Sequence, residues 1–182
     1  MKRIVIMVAM AVLLLSIAAP AQAPAPKPRP EHKKLEIWVG DWTYEGENKA
    51  TPFGPAGKFS GKNSTKPILG GFFVEFRGED KGPAGTTQWY EIDGYNPVIK
   101  KYTWNCFLSD GTVQTVTYTI EGQTVCYSGT QVLGGKQAKI KGTAVFASDF
   151  MSNVDKREVS FDGKVWMPLS ELKATKVKSS KK

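Results

Sequence analysis

The chain has 182 residues, 41% hydrophobic, 11% aromatic and 23% charged, with two cysteines, one histidine and a formal charge of +8. That length supports one domain with a real core and is short for two. A single histidine and two cysteines exclude a four-ligand zinc site and any histidine-based nucleophile triad. The positive charge sits at the ends: residues 35–172 carry 14 basic and 16 acidic side chains. Such a body lacks the basic face that phosphate binding requires, so no nucleic-acid partner is expected.

Met1, Lys2 and Arg3 precede an apolar run from Ile4 to Leu15 and the small-residue stretch Ala18, Ala19, Pro20, Ala21, Gln22, Ala23. A basic start, a short apolar core and an Ala-x-Ala site make a secretory signal, residues 1–21, with cleavage after Ala21. The apolar run is shorter than the roughly 20 residues a spanning helix needs, so no integral membrane segment is expected after cleavage. With no cysteine near the site, a lipid anchor is not expected either. The predicted destination is the periplasm or the exterior.

Residues 22–30 alternate proline with small or basic residues and read as an extended, disordered linker. The single domain is predicted over 31–177, followed by a basic disordered tail at 178–182. It opens with Pro30 at a helix start, Glu31 in the first turn and Leu35, Trp38 and Val39 at helical spacing, with Gly40 as the stop. This predicts a short amphipathic helix of two to three turns, seated on a barrel end or the side of a sheet.

From Trp42 onward, period-two alternation and turn dipeptides replace helical periodicity. Ten strands are predicted: 42–49, 58–69, 72–80, 86–95, 101–108, 112–121, 123–133, 136–147, 153–162 and 166–177. Short links such as Gly70-Gly71, Asp110-Gly111 and Gly134-Gly135 pair each strand with its successor. A meander this long removes its exposed edges by closing. The predicted fold is therefore all-β, an antiparallel up-and-down barrel of eight to ten strands with a short N-terminal helix. In that register Cys106 and Cys126 lie on strands separated by a third, about 10 Å apart and beyond bridging distance. Two free, half-buried thiols are expected.

Gly40-Asp41-Trp42, a Gly-x-Trp entering the first strand after a short helix, resembles the entry motif of the calycin superfamily. There the tryptophan plugs one barrel end and the helix closes the floor. Leu35-x-x-Trp38-Val39-Gly40-Asp41-Trp42-x-Tyr44-x-Gly46-Glu47, Leu69-Gly70-Gly71-Phe72-Phe73-Val74 and Gly94-Tyr95-Asn96-Pro97 with Lys101, Tyr102 and Trp104 are similar to the bacterial family known as domain of unknown function 1579. The resemblance spans roughly residues 35–173 and implies a lipocalin-like barrel. It implies no mechanism, since that family has no established activity. The Pro-rich leader and lysine tail depart from it.

In a closed barrel, alternate side chains point inward. The cavity candidates are Trp42, Trp89, Tyr90, Trp104, Tyr118 and Tyr127, which would bind a small hydrophobic or aromatic ligand or else fill the core. No cofactor is called for: His32, the only histidine, lies ahead of the barrel, which disfavours haem ligation as in nitrobindin-like barrels. Glu91 shares a face with Trp89 and Asp93, opposite Tyr90 and Ile92. Inward it would be a general base of raised pKa, and outward an ordinary surface charge. The outward reading is preferred, as for Glu45, Glu47 and Glu75, because unpaired buried glutamate is rare. Three functions stay open: a binding module with aromatics around a void and few buried charges, a structural protein with a solid core, and a barrel enzyme of the isomerase or cyclase kind. No catalytic residue is assigned, and the non-enzymatic binding reading is preferred.

Overall fold

The computed structural model describes residues 26–52 and 54–178, so the predicted signal segment lies outside the described residues. Pro30–Lys33 form a four-residue helix, α1, continued by five residues of 3-10 helix, Lys34–Trp38. The expected amphipathic helix thus tightens after one turn. An isolated helix this short is marginal in water, so its geometry follows the surface beneath it. Leu35 is 1% exposed and Trp38 packs on Phe76 and Phe146.

Ten strands follow: β1 (Gly40–Asn48), β2 (Gly57–Ile68), β3 (Phe73–Gly82), β4 (Gly85–Asn96), β5 (Lys101–Leu108), β6 (Val113–Glu121), β7 (Thr124–Leu133), β8 (Lys136–Phe146), β9 (Ser152–Ser160) and β10 (Met167–Lys176). Each pairs antiparallel with its sequence neighbour, and β1 pairs with β10, which closes the barrel. Closure runs from Trp42 opposite Lys176 to Asn48 opposite Ser170. It leaves no unpaired edge to template aggregation. The strand boundaries follow the turn dipeptides to within two residues; at Leu69-Gly70-Gly71 all three residues have positive φ, a sharp corner that two glycines make cheap.

The helical segment closes the end where β2 meets β3, β4 meets β5 and β8 meets β9. Trp42 Nε1 donates to the Trp38 carbonyl at 2.8 Å, and the Tyr102 hydroxyl donates to the Glu31 carbonyl at 2.8 Å. His32 is buried between the rings of Phe72 and Tyr95, its Nδ1 accepting the Arg29 N–H. The histidine is therefore part of the floor and stays outside the barrel interior.

Both cysteines are free, as expected, but they are not alike. Cys106 is buried on the inner wall, while Cys126, between the inward Val125 and Tyr127, is exposed on the outer face. The expectation of two half-buried thiols fails because β5 and β7 present opposite phases of the two-residue period at these positions.

Candidate functional site

Above the helical floor the barrel is hollow, with a cavity of about 450 Å³ reaching from Trp38 and Trp42 to the Gly82–Gly85 turn. Four aromatic rings lie flat against the wall. Tyr44 covers its cross-strand partner Gly61, Trp89 covers Gly78, Tyr127 covers Gly142 and Phe59 covers Gly46. A Cβ on Gly61 would stand 2.3 Å from the Tyr44 ring and one on Gly78 2.2 Å from Trp89. Glycine in mid-strand is unfavourable by propensity, and here it serves to let a neighbouring ring lie down. The aromatics line the wall and leave the centre open.

Of the six cavity candidates, the structure places Trp42, Trp89, Trp104, Tyr118 and Tyr127 on the lining. Tyr90 is on the outer face. It is adjacent to Trp89 on one strand, so the two cannot both point inward. Its hydroxyl donates to Glu75 Oε2 at 2.8 Å, and Arg77 lies 4.8 Å above its ring.

The interior is more polar than expected. Glu91 and Asp93 both line the cavity, contrary to the outward position preferred for Glu91. Trp89, Glu91 and Asp93 share one phase of β4, so an inward Trp89 brings both carboxyls in with it. The Tyr118 hydroxyl donates to Asp93 Oδ2 at 2.5 Å. Asp93 Oδ1 has no hydrogen-bond partner among the described residues. Burial raises the Glu91 pKa above the usual carboxylate range, while hydrogen bonds to Asp93 and Cys106 and the charge of Arg157 pull it back. Asp93 is raised as well, by burial first and then by the Glu91 charge. Glu91 and Asp93, two residues apart on the same face of β4, therefore titrate as a pair. Next to them Cys106 is an inert thiol, its pKa pushed up by burial and by Glu91.

A second chain of groups crosses β7 and β9. The Tyr127 hydroxyl donates to Asp155 Oδ1 at 2.9 Å and accepts from Arg157 Nε at 3.2 Å. The guanidinium lies 5.5 Å from the Tyr127 ring centroid and 5.7 Å from that of Trp104. Burial raises Asp155 against the opposing pull of Arg157, and it pushes Tyr127 up to about 12. Nearer the mouth Asp80 accepts from the Tyr44 hydroxyl and, at 2.9 Å, from Trp89 Nε1. No group of three or more His, Cys, Asp or Glu able to hold a metal occurs among the described residues.

Sequence reading missed Tyr44, Asp80, Asp155 and Arg157. On β9 the inward set is Asn153, Asp155, Arg157 and Val159 while the outward set includes Val154, so neither phase is the apolar one. The available signal was the mid-strand glycines Gly46, Gly61, Gly78 and Gly142, each opposite an aromatic ring on the neighbouring strand.

The family model described as Protein of unknown function (DUF1579) matches residues 27–176. No curated protein matches the chain. Among solved structures the chain is similar to Rv2717c from M. tuberculosis, with a TM-score of 0.56 at 12% identity over 82% of this chain and 99% of that one. It is also similar to the S-type phycobiliprotein lyase CPES from Guillardia theta, with a TM-score of 0.53 at 10% identity over 85% of this chain and 100% of that one. Identities so low make these likenesses of fold.

Proposed function

The chain belongs to the family Protein of unknown function (DUF1579), and for this member we propose an exported, non-enzymatic barrel that holds one small amphipathic molecule in its interior. The observation that carries the reading is the cavity of about 450 Å³, within the usual range of ligand pockets. A protein acting only through its surface has no need of rings laid flat over glycines to keep its centre open. The purely apolar ligand expected from the aromatics is revised by the carboxyls and the arginine on the wall. The molecule that fits has a flat apolar body and polar edges.

A second reading draws on Glu91 and Asp93. Two carboxyls of raised pKa beside a cavity, with Tyr118 hydrogen-bonded to one of them, form an acid–base set suited to moving a proton on a confined substrate.

The deciding experiment is a native mass spectrum of the protein purified gently from its own envelope fraction, compared with the same sample after denaturation and solvent extraction. Expected is the chain mass of residues 22–182 plus a reproducible excess that unfolding removes. A bare chain mass, with no change of Trp42, Trp89 and Trp104 fluorescence on adding fatty acids, haem or aromatic metabolites, would refute the binding reading. A mass that still includes residues 1–21 would refute export by signal cleavage.

A further inference from the structure

Among the described residues lining the cavity, Arg157 is the only cation. Its Nε is spent on the Tyr127 hydroxyl, which Asp155 fixes in turn. Its guanidinium is flanked by the Trp104 and Tyr127 rings. Among the described residues no ion pair or further hydrogen bond engages the two terminal nitrogens. An arginine held this way is a preorganised fork, since its plane is set by ring contacts and its inner nitrogen is anchored, while the outer edge is presented to the cavity.

Four carboxyls also line the cavity, and ionised they would repel an anion. Three of them, Glu91, Asp93 and Asp155, are pushed by burial toward the neutral form. Arg157 stays charged, because the Tyr127 and Asp155 contacts outweigh its own burial. The wall thus offers one fixed positive fork, and burial disfavours the charged form of three of the four carboxyls around it. The same lining carries the apolar side chains of Phe59, Pro83 and Leu108.

Resting on the binding reading above, we infer that the ligand is an organic acid with a flat apolar body, its carboxylate docked on the outer edge of the Arg157 guanidinium and its body directed toward Phe59, Pro83 and Leu108. A planar carboxylate matches the fork with two parallel hydrogen bonds, which a neutral alcohol or ester does not supply.

The test uses pyrenebutyric acid and its methyl ester, titrated into the mature protein and followed by energy transfer from tryptophan to pyrene. The acid is expected to bind on the order of tenfold to a hundredfold tighter than the ester, the range a charge-assisted hydrogen-bonded contact supplies. Arg157→Gln should erase that ratio, and Arg157→Lys should restore part of it. Equal binding of acid and ester by the unsubstituted protein overturns the acid assignment and leaves the cavity reading standing. Binding of neither probe overturns both. The unsubstituted protein decides this alone, so a variant that fails to fold does not protect the inference.

Discussion

The two faces of the β3–β4 wall carry the same kinds of residue and put them to opposite uses. Outside, Glu75 accepts from Tyr90 and pairs with Lys66 at 3.0 Å and Arg77 at 3.6 Å. It is covered by those long side chains rather than by protein depth, and hydrogen bonds to Lys66 and Tyr90 hold its carboxyl down at about 2. Inside, Glu91 and Asp93 lie side by side on one face of β4, with no cation bonded to them among the described residues, and are pushed upward by burial. A carboxyl with cations and water around it favours the anion, whereas burial in the wall favours the neutral form. The outer cluster follows the rules of exposed ion pairs and the inner one those of a site.

The largest difference between the faces should appear on truncation. Trp42 is 3% exposed, hydrogen-bonded to the Trp38 carbonyl and packed on Phe146. Trp42→Ala should lose about 3–5 kcal/mol in urea unfolding, against little for Phe107→Ala on the outer face, where Phe107 is 46% exposed. Comparable losses would mean that the floor is not a packed core.

The next contrast is in pH. The folded pKa values of Glu91 and Asp93 lie above their unfolded ones, so their contribution to stability is complete below the usual carboxylate range and is lost as pH rises through the raised values. For Glu75 the folded value is depressed, so its contribution is present above the usual range and is lost as pH falls toward about 2. In urea midpoints measured from acid to alkaline pH, Glu91→Gln should flatten the alkaline side and Glu75→Gln the acid side. Flattening on the same side by both variants would break the comparison.

The smallest contrast removes one oxygen from each face. Tyr118→Phe leaves Asp93 without its hydrogen-bond donor in a buried wall and should lose about 1–3 kcal/mol. Tyr90→Phe removes a contact that water replaces, and its urea midpoint should match that of the unsubstituted protein, most closely at high salt. An equal loss for both would place Glu91 and Asp93 in an environment as wet as that of Glu75.

Most of the fold was legible in the residues. Turn dipeptides such as Asp110-Gly111 and Gly134-Gly135 mark hairpins because only certain residues adopt their backbone angles, and alternation between them marks strands. The Trp42 plug was implied by the resemblance of Gly40-Asp41-Trp42 to the calycin entry motif. Phase was harder to read wherever both faces of a strand mix polar and apolar residues. Tyr90 was grouped with the interior while its neighbour Trp89 occupied it, and Glu91 was assigned outward while sharing the phase of Trp89. Both errors come from judging residues by type instead of by register, which in a two-residue repeat assigns whole sets at once.

Local chemistry along the chain therefore determined the number, order and antiparallel pairing of the strands and the short helix ahead of them, since turn propensity and alternation act over a few residues. Only closure of β1 on β10 decided which phase of each strand faced the centre and that mid-strand glycines would lie beneath rings. Closure also brought Arg157 of β9, Tyr127 of β7, Trp104 of β5 and Glu91 of β4 onto one cavity. These are contacts between residues far apart in the chain, and their energies depend on burial and mutual distance, quantities that no local pattern carries.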